Sequence, residues 1–290
     1  MALFDFILIN VAPGIFSMRH PAVSGAFYTA NDSELRREVK EYLSDAALQV
    51  EKKERLAIVC PHAGYVYSGK TAAFSFASCS NWEKKEITAI IIGPNHTGMG
   101  TPISVSNEDW KTPLGAVTCD SALAEEIVKR SKIAKKDEIA HIREHSVEVQ
   151  LPFLQVCCPH AAFVGICMGV QDAAAAEDLG RAIYEAAKAL KCEIVVIASS
   201  DFTHYESADS AKKKDGAAID FLKELDWKSF EKKVDGEDLS ICGHGPIAAA
   251  MHYAKLAGAK KCELLRYTNS GEASGDFEQV VAYAALAMSK

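Results

Sequence analysis

Four short, unbroken apolar runs constrain this chain more than any other feature: residues 56–60, 87–92, 163–167 and 194–198 each read as a strand buried on both faces. Strands of that kind belong in the middle of a sheet covered by helices. The intervening stretches supply the helices, expected at 33–47, 69–79, 121–132, 146–156, 173–190, 210–225 and 246–257. In the first of these, Leu35, Val39, Tyr42 and Leu43 recur at helical spacing behind Asp32-Ser33-Glu34. Strand and helix alternate through most of the chain, so the fold class is α/β. Two late apolar runs, 262–267 and 279–287, are placed to pair antiparallel, which makes the expected sheet mixed.

With 290 residues, 49% of them hydrophobic and 24% charged, the chain can bury one large core, and no repeat or Pro/Ser-rich linker divides it. A single domain is expected over 18–290. Residues 1–17 form an apolar extension that is interrupted at Pro13-Gly14, too short to span a bilayer and without the basic start of a secretory signal. No other stretch suggests a membrane span, so the cytoplasm is the expected compartment. The balance of 32 Lys+Arg against 39 Asp+Glu, a net −7, leaves no general cationic field for a nucleic-acid backbone. Lys212, Lys213 and Lys214 read as a solvated helix face. The nine cysteines contain no C-x-x-C pair, and several lie in apolar runs, so most are expected reduced, buried and structural.

Chemistry is expected where strands end, because open α/β sheets bind ligands outside the carboxyl ends of their strands. Strand 56–60 runs into Pro61-His62-Ala63-Gly64-Tyr65, strand 87–92 into Gly93-Pro94-Asn95-His96, and strand 194–198 into Ser199-Ser200-Asp201-Phe202-Thr203-His204-Tyr205. A lone loop histidine is usually an ordinary polar residue. Three strand ends delivering His62, His96, Asp201 and His204 to one rim point instead to a metal pocket, since imidazole suits iron, copper, zinc and nickel. A third ligand is expected from Ser240-Ile241-Cys242-Gly243-His244-Gly245-Pro246, where Cys242 and His244 compete. A cysteine at a helix N-terminus is expected to have a lowered pKa and so more thiolate. His141 and His145 are four apart, but lack the H-E-x-x-H pattern, and a pocket-lining role is assigned to His145. Tyr65, Tyr67 and Tyr205 are candidates for an aromatic lining.

One rival arises from spacing alone. Gly64-Tyr65-Val66-Tyr67-Ser68-Gly69-Lys70-Thr71 satisfies the P-loop pattern and sits between a strand and an expected helix. Its bulky Tyr, Val and Tyr ill suit a loop that must curl around phosphate, and Asp201, following two serines, is a poor magnesium-binding strand end.

Taken together, these motifs, with Pro21-Ala22-Val23-Ser24-Gly25-Ala26-Phe27-Tyr28, resemble the Memo family, named for a mediator of receptor-kinase-driven cell motility. The resemblance runs from about Met18 to the C-terminus. It implies an α/β/α sandwich like that of the class III extradiol dioxygenases, with a metal held by His62, His96 and Cys242, and with Asp201 and His204 in the pocket. A thiolate in place of the dioxygenases' carboxylate ligand speaks against ring cleavage. Archaeal and bacterial members accompany a radical-SAM protein, which implies a functional link to one.

Three functions follow as expectations. The first is a redox enzyme using Fe(II) or copper, with zinc as a substitute, acting on a small molecule with His204 as acid/base and Asp201 orienting it. The second is a binding module for a phosphopeptide or small anion. The third is a metal carrier. Oligomeric state is not legible in the sequence.

Overall fold

A computed structural model describes residues 18–290, and the extension expected at residues 1–17 lies outside the described residues. The chain begins with β1 (Met18–Arg19), α1 (Asp32–Ala47), β2 (Ala57–Cys60), α2 (Tyr65–Ala77), β3 (Thr88–Pro94) and β4 (Ile103–Val105). It continues through β5 (Asp109–Thr112), β6 (Gly115–Val117), α3 (Ser121–Arg130), β7 (Ala134–Lys136), α4 (Leu151–Cys157), β8 (Ala162–Met168) and α5 (Ala173–Leu190). The last third holds β9 (Ile194–Ser199), β10 (His204–Glu206), α6 (Ala208–Lys223), α7 (Trp227–Glu237), α8 (His244–Leu256), β11 (Lys261–Asn269) and β12 (Val280–Ser289).

Among the described residues, nine strands form the main sheet in the order β10-β12-β2-β9-β3-β8-β4-β7, with β11 also on β12. The four apolar runs read from the sequence are its centre, β2, β9, β3 and β8, all mutually parallel. The two late runs pair antiparallel with each other, and β12 is antiparallel to β2. The sheet is therefore mixed and largely parallel, as expected.

Side-chain alternation along these strands divides the core into two layers. Val59, Ile90, Ile92, Val164, Ile166 and Val196 face α3, α5, α6, α7 and α8. Ile58, Cys60, Ile91, Phe163, Val195 and Ile197 face α1, α2 and α4. The result is a three-layer α/β/α sandwich. Burying one such aliphatic side chain is worth about 1.5–3 kcal/mol, so each centrally placed strand anchors both layers.

Several boundaries differ from the expected ones. Helix α2 begins at Tyr65 rather than 69, with Gly64 as its N-cap, so residues 65–71 of the P-loop pattern are helical and cannot encircle a phosphate. The helix expected at 146–156 is α4 alone, started by Pro152 after a 3-10 turn at Glu148–Gln150, and this leaves 142–147 as loop. Helix α7 and strands β4 to β7 and β10 were not expected. The strands are three or four residues long and too short for a periodic signal; β4, for example, is fixed by its pairing with β8.

Candidate metal centre

Because β2, β9 and β3 are parallel neighbours, their carboxyl ends open on one edge of the sheet. His62 follows β2, His96 follows β3, and Ser199 closes β9 between them. A fourth element, the loop before α4, is latched across this edge. Ser146 Oγ donates to the Pro94 carbonyl (3.0 Å), and Gln150 Nε2 donates to the Pro61 carbonyl (2.9 Å). That loop inserts His145 beside the other two histidines.

The ligating atoms of His62, His96 and His145 all lie within 4.8 Å of one another. Ring centroids are 5.1 Å apart for His62–His96, 5.4 Å for His62–His145 and 4.5 Å for the stacked pair His96–His145. His62 is 2% exposed, whereas the His96 side chain is 34% exposed, so the cluster opens toward solvent on the His96 side.

Hydrogen bonds assign the tautomers. The Ser199 hydroxyl donates to the Ser146 carbonyl (2.6 Å) and accepts from Gln150 Nε2 (2.9 Å). With its proton committed, Ser199 Oγ accepts from His62 Nδ1 (3.0 Å), which leaves the His62 Nε2 lone pair for the pocket. His96 Nδ1 lies 2.9 Å from Glu144 Oε1, and its backbone N–H donates to Oε2 (2.6 Å). Glu144 is fully buried and also accepts the His145 and Ser146 amides on Oε1. Burial pushes this carboxyl up, but His96 and the amides outweigh it and hold the pKa at about 2. Glu144 is therefore a carboxylate, and His96 donates Nδ1–H to it and presents Nε2. A carboxylate behind an imidazole is the arrangement that orients metal-binding histidines.

Burial keeps His62 and His145 neutral. It pushes His62 well below the usual imidazole range, helped by the neighbouring His145 and His96, and takes His145 to about 4. Neutral imidazoles with free lone pairs are the state a metal ion needs.

Cys242 stands on the other side of His62, with Sγ 3.2 Å from Nε2. Its Sγ accepts the Asp201 amide at 3.2 Å. The turn that places it depends on Gly243, whose Cβ, were there one, would lie 2.5 Å from the Ser199 carbonyl oxygen. The expected lowering of the Cys242 pKa is corrected here. Although the residue lies one position before the Gly243 N-cap of α8, burial and the Asp201 carboxylate push the thiol up, because desolvation outweighs the helix N-terminus. Asp201 is buried, accepts the His62 amide on Oδ1 (2.8 Å) and has its other oxygen 3.9 Å from His62 Nε2. Burial raises its pKa to about 6, partly opposed by that hydrogen bond and by the nearby His204. His204 is half-buried and bonds through Nδ1 to the Ser240 carbonyl (2.7 Å), so Nε2 is its basic nitrogen.

The remaining expected residues separate. Tyr67 is 45% exposed and Tyr205 75% exposed. Tyr65 is not in the pocket: its ring packs against Tyr28 and Phe153 and its hydroxyl donates to the Val149 carbonyl (2.7 Å). His244 turns Nδ1 to both oxygens of Glu231 (3.1 Å each). His141 is buried against Trp110 (5.4 Å between rings) and does not share a helix face with His145.

Sequence reasoning missed Glu144, Ser199 and Gln150, and placed His145 as lining rather than among the donors. The only signal for Glu144 was its position before a histidine, which any solvated glutamate shares.

A sequence model of Memo-like proteins matches residues 19–287. The chain belongs to the Memo family. Its relatives include a MEMO1 family protein of Methanosarcina mazei, 43% identical over 270 residues that cover 93% of this chain and 98% of that protein. A MEMO1 family protein of Methanocaldococcus jannaschii is 41% identical, covering 92% and 97%, and one of Pyrococcus abyssi is 41% identical, covering 93% and 99%. Among solved structures, an uncharacterized protein of Escherichia coli K12 is 13% identical with a TM-score of 0.42, covering 68% of this chain and 85% of that one. Among the described residues of this Memo-family chain, no helix is long and apolar enough to cross a membrane.

Proposed function

We propose that this Memo-family chain holds a first-row metal ion, Fe(II) or copper with zinc as a substitute, and transforms a small substrate beside it. The observation that carries the reading is the convergence of three imidazoles whose Nδ1 sides, for His62 and His96, are already committed to Ser199 and Glu144. The donor set fits such an ion: borderline nitrogen ligands, a buried carboxylate behind one of them and an open side. His62 and His96 would hold it, with the third donor either His145, which completes the cluster, or Cys242, whose Sγ lies 3.2 Å from His62 Nε2. When bound, iron or copper supplies Lewis acidity and one-electron exchange.

The protein's own contribution is proton handling. His204 Nε2 is the nitrogen left open for proton transfer, since Nδ1 is held by Ser240. Asp201, with a pKa of about 6, can keep or release a proton near neutrality. The deciding experiment is metal content after anaerobic purification, for the native chain and for His62→Ala, His96→Ala, His145→Ala and Cys242→Ser. Near-stoichiometric metal lost on removal of His62 or His96 supports the reading, and the other two variants identify the third donor. A native chain that folds and takes up no metal on reconstitution refutes it.

A second reading, a pocket that captures a peptide or small anion without turnover, is favoured by the exposed rings of Tyr205 and Tyr67. Metal-dependent consumption of oxygen or substrate supports the enzyme, and saturable binding without consumption supports the module.

A further inference from the structure

The segment 19–28, which carries the Pro21 to Tyr28 motif, has no part in the site as described so far, yet it is fastened to the histidine loop by an unusual number of polar contacts. Glu148, fully buried, gathers four donors: Arg19 Nη1 and the Ala22 amide (2.8 Å) on Oε2, and the Val23 amide (3.1 Å) and Tyr28 hydroxyl (2.6 Å) on Oε1. The rest of the Arg19 guanidinium grips the same loop. Nε donates to the His141 carbonyl (2.8 Å) and Nη2 to the Glu144 carbonyl (2.7 Å). At its far end the segment meets α2, where the Tyr65 amide donates to the Phe27 carbonyl (2.8 Å). It is a strap tied at both ends, and it presents the Phe27 ring to His145 at a centroid distance of 4.7 Å.

The three imidazoles are not held alike. His62 and His96 have hydrogen bonds of 3.0 and 2.9 Å to Ser199 and Glu144. His145 Nδ1 comes only to 3.4 Å from Glu144 Oε1, which is beyond a strong hydrogen bond. Packing must therefore orient its ring: His96 stacked at 4.5 Å and Phe27 tilted at 4.7 Å. An aromatic contact of this kind is orientation-dependent, unlike simple apolar burial.

We propose that Phe27 is a positioning residue that fixes the His145 imidazole toward the cluster, and that Glu148 positions Phe27 by clamping the strap. The inference rests on the metal reading for its functional weight, because a fixed third imidazole matters most as a donor or as a close neighbour of the ion. It assigns the Pro21 to Tyr28 motif the task of arming the site from outside it.

The test combines histidine side-chain NMR of the metal-free chain with Co(II) titration, for native protein, Phe27→Leu, Phe27→Tyr and Glu148→Gln. Phe27→Leu is expected to move the His145 ring resonances while those of His62 and His96 stay in place. It should weaken Co(II) binding roughly tenfold, the lower end for residues that orient metal ligands. Phe27→Tyr, which keeps the ring, should restore both. Glu148→Gln, wherever it folds, should reproduce the His145 signature, and a folded variant with His145 unmoved overturns the clamp. Unchanged His145 resonances in Phe27→Leu, or all three imidazoles moving together, overturn the positioning role. A native chain that binds no Co(II) but whose His145 alone responds to Phe27→Leu refutes the metal reading and leaves the positioning standing.

Discussion

Glu144 and Tyr65, both buried, separate what the sequence spells from what the fold does with it. His62 and His96 were legible because a polar residue directly after an apolar strand has few places to go other than the sheet edge. Glu144 was not, since a buried carboxylate bonded to His96 is written with the same letter as a solvated one. Its role leads to a prediction: Glu144→Gln removes the charge behind His96 while leaving oxygen to accept some of the amides, so metal affinity should fall about 10–100-fold with the fold retained. Calorimetric metal titration with a circular-dichroism control reads this, and unchanged affinity would show that the carboxylate is only structural. Tyr65 gives the converse case. Its hydroxyl bonds to the Val149 carbonyl within an aromatic cluster, so Tyr65→Phe should cost about 1–3 kcal/mol in urea unfolding and leave metal content untouched. Loss of metal without loss of stability would return Tyr65 to the pocket.

Among elements, the long ones were readable and the short ones were not. Apolar runs of five or six residues revealed β2, β3, β8 and β9, and helical spacing revealed α1 and α5, because burial on two faces or one face leaves a periodic mark. Strands β4 and β7 exist through pairing with each other and with β8, a long-range cause that local sequence does not record. The P-loop pattern failed for a local reason: Gly64 caps α2, so the helix absorbs Tyr65 to Thr71 and leaves Lys70 on its exposed face. Lys70→Ala should therefore alter neither stability nor metal content, and equilibrium dialysis of the native chain with ATP and magnesium should find no saturable site. Packing of α5 on α8 makes a sharper test. A Cβ on Gly180 would lie 2.6 Å from the Ala249 carbonyl oxygen and 3.0 Å from the Tyr253 nitrogen, and backbone cannot rotate away as a side chain can. Gly180→Ala should force the helices apart at a cost of about 1–3 kcal/mol, visible as a lowered urea midpoint. An unchanged midpoint would mean the two helices slide freely.

For the whole molecule, burial of neutral imidazoles ties stability to pH. His62, His141 and His145 all have folded pKa values below the usual 6.5, the last two at about 4, with burial the leading cause. The unfolded chain therefore takes up these protons first, and stability present above pH 6.5 is lost as the pH falls toward 4. Asp201 works in the opposite sense. Its folded pKa of about 6 against the usual 3.8 adds stability as the pH falls across that interval, and burial raises Asp215 and Glu138 in the same direction. The histidines should prevail by number: all three are depressed, and each one shifted to about 4 loses more between pH 7.5 and 5 than Asp201, titrating in the same interval, gains. A single imidazole shifted from 6.5 to about 4 loses roughly 2 kcal/mol between pH 7.5 and 5. Metal-free protein should thus show a lower urea midpoint at pH 5 than at pH 7.5. His141 isolates the effect from the site, since its ring packs against Trp110 and not in the cluster. In His141→Leu the gap between the two midpoints should narrow while metal binding at pH 7.5 is kept. Equal midpoints in the native chain, or a gap that His141→Leu leaves intact, would mean that this buried imidazole already carries its proton in the folded state.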